Sequence, residues 1–288
     1  MVGVLSIQSH VVHGCVGNTA AVLPMQLLGL RVDCINTVQF SNHTGYPKFT
    51  GHCNAALQIK QIVDGLRENS FLKEYSTILS GYVGNPETLL LISDLIQECK
   101  LLNPDIFIVI DPVMGDNNRL YVPQSCVTVY KTLIQYAEMV TPNAFEAQIL
   151  TGIEASFSNV ESILKSIHDM GPRIVIVTSM ESDLETWLFA SIKDDIRFKI
   201  KIPKVYKVHF TGTGDLFVAL LIGYIGSDKT TVNVRLACEV AVSTMQIVLK
   251  TTFVNSNGSQ NCSDLELDII ACRTAIMDCR TDVISTEF

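Results

Sequence analysis

The chain contains no C-x-x-C pair, and its nine cysteines are scattered along 288 residues. A secreted disulfide framework needs an even, closely spaced set, and a structural zinc site needs paired ligands, so neither is expected. Charge is sparse: charged residues make up 17% of the chain, and the net charge of −8 comes from scattered carboxylates. No stripe of Lys and Arg interleaves with aromatics, which removes nucleic acid from the expected partners. The first ten residues lack the basic and long apolar regions of a secretory leader, and the run 217–225 is too short to cross a bilayer. A cytoplasmic protein with no membrane partner is the expectation. Two phosphate-binding signatures are also missing. No G-x-x-x-x-G-K-[ST] run occurs, and the glycines near Gly212 fail the dinucleotide fingerprint because Phe217 holds the third glycine position.

What the chain does have is apolar content of 48%, enough for one large core, with no Pro- or Gly-rich divide before its last part. One domain over 1–288 is expected. Short β-branched runs at 2–7, 32–38, 77–79, 106–110, 138–141 and 174–178 read as strands. Between them, 54–68, 86–102, 123–136, 143–150 and 160–170 carry helical spacing, several opened by Pro or Asn. This alternation predicts a three-layer α/β/α sandwich around a mainly parallel sheet, whose ligands gather at the carboxyl ends of the strands. Segments 186–190 and 196–202 read as an antiparallel hairpin at the sheet edge. From Gly212 two helices are expected, through Ile225 and through Leu249, then a polar linker over 255–261 and a last helix from Ser263.

The strongest local signal is Thr211-Gly212-Thr213-Gly214-Asp215, which opens the apolar helical run 216–225. Glycines let backbone N–H groups approach an anion, and the helix dipole favours negative charge there. Asp215 in the first turn is placed to accept the proton of an attacking hydroxyl, although an Asp at a helix start also serves the dipole alone. Asp111-Pro112-Val113-Met114-Gly115-Asp116 puts two carboxylates at a strand end, hard oxygen ligands that suit Mg²⁺ on phosphates or form a solvated turn. After the strand near Val140, Asn143 and Glu146 have the spacing of a capping pair, N-cap and N3. Thr178 and Ser179 end a further strand, and their hydroxyls either meet phosphate or close a local turn. Near the start, Ser9 precedes a glycine-containing loop running to Asn18, and 40–46 forms a polar and aromatic loop suited to a flat heteroaromatic ligand. His10, His13, His43 and His52 lack the spacing of a zinc helix.

Taken together, Ser9-His10-Val11 with 14–18, 38–46, 111–116, Tyr121-Val122-Pro123, 141–146 and 212–215 resemble the pyridoxal kinases of the ribokinase-like superfamily, in order and over about the whole chain. That resemblance implies ATP-dependent phosphorylation of the 5′-hydroxymethyl group of pyridoxal, pyridoxine or pyridoxamine by a homodimer. It makes Asp215 the catalytic base. It places Ser9 and Thr44 on the pyridine substituents, with Val16, Phe40, His43 and Tyr82 lining or stacking on the ring. It gives Asp111, Asp116, Thr141 and Glu146 to Mg²⁺, with Zn²⁺ as a substitute, and to a monovalent cation, K⁺ or Na⁺. Asp111, Asn143, Thr178, Ser179, Gly212, Thr213 and Gly214 would meet the ATP phosphates, with Tyr121, Phe210 and Leu249 nearer the nucleoside. A lid over ATP is expected at 180–185. The rivals are a hydroxymethylpyrimidine kinase of the same superfamily, disfavoured by Asp rather than Cys at 215, and a non-catalytic B6-binding protein.

Overall fold

The structure, a computed structural model, describes residues 3–181, 185–203 and 208–288. The segment expected to cover ATP lies partly outside them. Apolar β-branched runs need cover on both faces, and the chain supplies it by alternating strands with helices. In order it forms β1 (Gly3–Val11), α1 (Asn18–Leu27), β2 (Arg31–Phe40), β3 (Gly51–Cys53), α2 (Ala56–Glu68), β4 (Thr77–Ser80), α3 (Pro86–Leu102) and β5 (Phe107–Ile110). A small hairpin follows, β6 (Gly115–Asp116) with β7 (Arg119–Leu120), then α4 (Gln124–Leu133), β8 (Met139–Val140), α5 (Ala144–Thr151) and α6 (Val160–Asp169). The remainder is β9 (Ile174–Glu181), β10 (Thr186–Ile192), β11 (Arg197–Ile202), α7 (Thr213–Ile225), α8 (Thr231–Asn255), α9 (Arg273–Asp278) and β12 (Thr286–Glu287).

Among the described residues, ten strands make one sheet in the order β12-β11-β10-β9-β8-β5-β4-β1-β2-β3. Its centre is parallel, and antiparallel strands finish it at both edges. Strand residues alternate between two cores, as the two-residue period of a strand requires. Leu5, Ile7, Ile78, Ile108, Ile110, Val175 and Val177 pack with α2 to α6. Val4, Leu79, Phe107, Val109, Ile174 and Ile176 pack with α1, α7, α8 and α9. The result is the expected three-layer sandwich. Because β1 lies between β4 and β2, successive connections leave it in opposite directions, and sheets of this kind bind ligands beyond the strand ends at such a point. The hairpin over 186–202 is antiparallel as read, but β12 pairs outside it and takes the edge.

The last part departs from expectation. Helix α8 runs six residues beyond Leu249 to Asn255 and closes on Gly258, whose N–H donates to the Phe253 carbonyl at φ +71. The polar stretch is therefore a compact helix end rather than a linker. No α-helix opens at Ser263. Leu265, Leu267 and Ile269 are buried on alternate positions, which is the period of extended chain, and α9 begins only at Arg273. This strap turns Glu266 away from the core. Helix α8 is long and apolar enough to span a membrane by composition, but half of that stretch is buried here, against α7 and the sheet.

Candidate active site

Strand β1 carries an irregularity between Gln8 and His10, so Ser9 sits where the strand bulges before its loop. Its Oγ lies against Gly17, where a Cβ would come within 2.3 Å. Asn18, the buried first residue of α1, ties two strands together. It accepts from Ser6 Oγ at 2.8 Å and donates from Nδ2 to Asn36 Oδ1 at 2.8 Å, linking β1 to β2.

Two helix starts converge here. Gly212 caps α7 at φ +83, and a Cβ on it would stand 2.1 Å from the Cys15 carbonyl oxygen and 3.3 Å from Val16 Cγ1. Only glycine allows this approach. Gly17 caps α1, and its backbone amide favours the charged form of the Asp215 carboxylate. Burial nevertheless pushes Asp215 up to about 6, with the Gly17 donor opposing. Asp215 is therefore a better base than an ordinary carboxylate and is still ionised at neutral pH.

Opposite Gly214 lies Asp111, whose Oδ2 would be 3.9 Å from a Cβ at that glycine. Thr141 donates to Asp111 Oδ1 at 3.2 Å. Burial raises Asp111 well above its ordinary range, and the charges of Glu146 and Asp215 add to this. Glu146 is buried at N3 of α5. Its Oε1 accepts from Met114 N–H at 2.9 Å and Gly115 N–H at 3.4 Å, and its Oε2 accepts from Asn143 N–H at 2.9 Å. Burial pushes Glu146 up to about 8 against these donors, and the charge of Asp116 contributes. The capping pair exists as read, since Asn143 Oδ1 accepts from Glu146 N–H at 2.9 Å. Asn143 Nδ2 also donates to Gly115 O at 2.8 Å, which among the described residues leaves one amide hydrogen for a ligand. Asp116 is half-buried and caps its own hairpin through Asn117 N–H at 2.8 Å.

These carboxylates crowd together with neutral donors, an arrangement a cation would relieve. Among the described residues no three His, Cys, Asp or Glu side chains form a metal cage. An all-oxygen, open donor set fits Mg²⁺, which keeps waters and binds substrate phosphates, better than Zn²⁺.

The residues expected to meet the ring lie at or after the ends of β1, β2 and β4. A Cβ on Gly45 would reach His43 Nδ1 at 2.9 Å and Thr211 Oγ1 at 3.6 Å, so the loop after β2 touches the start of the anion cradle. His43 is buried, Thr44 is exposed, and Phe40 packs on Phe49 with centroids 5.2 Å apart. Tyr82 follows β4, where its carbonyl accepts from Thr37 Oγ1 at 2.7 Å. Thr178 and Ser179 are in β9, tied to the β8 end by Thr178 N–H on the Pro142 carbonyl at 3.0 Å. Tyr121 is half-exposed after β7, and Phe210 and Leu249, the latter in α8, are partly buried against the core that α7 and α8 share. Sequence reasoning missed Glu266, which accepts from Cys15 N–H at 2.8 Å and Tyr46 OH at 2.8 Å and lies 3.1 Å from His43 Nε2. Its only local signal is a charged residue inside an alternating apolar run.

Residues 69–237 match the family model described as phosphomethylpyrimidine kinase. The chain is 40% identical over 295 residues to pyridoxal kinase of Arabidopsis thaliana, covering 99% of this chain and 94% of that one. It is 38% identical over 271 residues to pyridoxal kinase of Homo sapiens, covering 86% and 85%. The solved structure of pyridoxal kinase from Leishmania donovani in complex with ADP and pyridoxamine superposes with a TM-score of 0.93 at 33% identity, covering 99% of each chain.

Proposed function

The chain belongs to the pyridoxal kinase family, and on that premise we propose how its residues carry out the reaction. It is an ATP-dependent kinase that phosphorylates the 5′-hydroxymethyl group of pyridoxal, pyridoxine and pyridoxamine. The observation that carries the mechanism is the seat of Asp215, a basic carboxylate at the meeting point of two helix starts and next in the chain to Gly214, which faces Asp111. Ser9 and Thr44 hydrogen-bond the ring substituents, while Val16, Phe40, His43 and Tyr82 enclose the ring. Asp215 accepts the hydroxyl proton as that oxygen bonds to the γ-phosphorus. The bond from the γ-phosphorus to the bridging oxygen breaks, and its electron pair leaves with ADP. Amide hydrogens at the start of α7 hold the charge on the transferring group, so positioning and electrostatics do most of the work.

Asp111, with Asp116, Thr141 and Glu146 around it, would hold Mg²⁺ and a monovalent cation, K⁺ or Na⁺, which neutralise phosphate charge when bound. Asn143, Thr178 and Ser179 serve the phosphates, and Tyr121, Phe210 and Leu249 the nucleoside. A homodimer is part of the reading, supported by the exposed edge strand β3 beside exposed Phe49 and Leu57, a surface that a second copy would cover. A cytoplasmic setting is supported by the unpaired thiols among the described residues.

The match to a phosphomethylpyrimidine kinase model favours a second reading, phosphorylation of hydroxymethylpyrimidine. Coupled ADP release with each substrate tests both. Faster release with pyridoxal is expected. Release with the pyrimidine alone would transfer the assignment to the second reading, and release with neither would leave a B6-binding protein.

A further inference from the structure

The strap after α8 places one carboxylate between the two loops that form the vitamin side. Glu266 Oε2 accepts from the backbone N–H of Cys15, in the loop after β1. Its Oε1 accepts from Tyr46 OH at 2.8 Å and lies 3.1 Å from His43 Nε2, both in the loop after β2. Tyr46 OH also lies 3.2 Å from the Ser263 carbonyl. On the far side of the imidazole, His43 Nδ1 accepts from Gly45 N–H at 3.1 Å. An acceptor at Nδ1 leaves the proton of a neutral ring on Nε2, and Glu266 accepts the hydrogen bond that this N–H donates. Both ring nitrogens are thus engaged by the protein. The Tyr46 ring packs edge-on against His43 with centroids 4.7 Å apart, which further restricts the imidazole. Burial pushes the Glu266 carboxyl up, but the donors from His43, Cys15 and Tyr46 outweigh it and hold it below the usual glutamate range. The carboxylate is also sterically seated, because a Cβ on Gly14 would fall 2.5 Å from Oε1.

We propose that Glu266 is a positioning residue for the vitamer: it locks His43 as the Nε2–H tautomer and joins the two vitamin-side loops through the C-terminal strap. The inference rests on the kinase reading above. Its specificity consequence is that His43 meets the pyridine ring by its face or edge and offers it no hydrogen bond from either nitrogen. Recognition of ring substituents then falls to other groups, such as Ser9 and Thr44. Glu266→Gln removes the charge and sets an amide N–H₂ against either the Cys15 N–H or the His43 and Tyr46 donors, so one side of the clamp must open.

The test has two readouts. In steady-state kinetics, Glu266→Gln is expected to raise the KM for pyridoxal by about tenfold or more, the loss expected for charge-assisted bonds, with the KM for ATP within about twofold. In ¹⁵N-resolved spectra of the unsubstituted, ligand-free protein, His43 is expected as the Nε2–H tautomer, the form in which both the Gly45 N–H and Glu266 find their partners on the ring. An unchanged pyridoxal KM, or a fall in kcat with both KM values rising together as general loosening would give, overturns the proposal. Should Glu266→Gln fail to fold, the tautomer in the unsubstituted protein decides, and Nδ1–H at His43 overturns it. Failure of the unsubstituted protein to turn over pyridoxal would sink the kinase reading alone, because the tautomer measurement needs no turnover.

Discussion

Asp215 owes its basicity to burial, and the Gly17 amide opposes that rise. A base must be deprotonated to work, so activity should fall as pH drops through its pKa. The profile of kcat/KM for pyridoxal is expected to show an acid limb near about 6 in the free enzyme; a limb at ordinary carboxylate values would contradict the burial argument. Asp215→Ala is expected to lose turnover by about a hundredfold or more while calorimetry still detects pyridoxal and ATP binding. Near-normal turnover would remove it from the role. Glu146 behaves differently, since three backbone donors already hold it. A carboxyl raised on folding contributes stability that is complete below its ordinary 4.5 and lost as pH rises through about 8. The ligand-free protein should therefore lose melting temperature over that window more than Glu146→Gln does, by about 3 °C or more. Mg²⁺ with ATP should flatten the difference, and parallel curves by scanning calorimetry would argue against a charge-strained pocket.

Helix α7 illustrates how one element serves packing and chemistry together. Its body, including Leu216, Val218 to Leu221 and Ile225, is buried under the sheet, so its start is held rigidly against the loop after β1. Gly212→Ala would force a Cβ into the Cys15 carbonyl at positive φ. We expect a stability loss of about 1–3 kcal/mol in denaturant unfolding, with a raised KM for ATP as the α7 start moves. An unaltered midpoint would mean the contact relaxes without strain. The strap is the second case. Leu265, Leu267 and Ile269 bury one face of an extended segment, and this is what sets Glu266 on the other. Leu267→Ala should cost about 2–5 kcal/mol by the same measurement, because a large buried side chain leaves a cavity. A cost near zero would show that the strap is not packed as described.

At the scale of the whole molecule, the sheet ends differently at its two edges. β12 returns to cover β11, where Arg235 donates to Ser285 O at 3.1 Å and Glu287 Oε1 at 2.9 Å. β3 has all three residues exposed. The homodimer reading therefore predicts twice the mass of one chain in sedimentation, reduced to one chain by Leu57→Glu with Phe49→Glu; an unchanged mass in that variant would place the interface elsewhere. Local patterns were enough to find the parallel sheet, because runs such as 106–110 and 174–178 announce strands buried on both faces, and the spacing of 86–102 announces a helix. The Gly212 to Asp215 motif and the Asn143 to Glu146 cap were legible for the same reason, as short-range chemistry at helix starts. The strap's two-residue period was also present in Leu265, Leu267 and Ile269, yet it was read as a helix because nothing nearby in the chain says which face will be covered. Contacts between distant segments decided the rest: β1 between β4 and β2, β12 at the far edge, and Glu266 against Cys15, 251 positions away. The same holds for the raised carboxylates, since desolvation depends on neighbours that only the closed fold brings together.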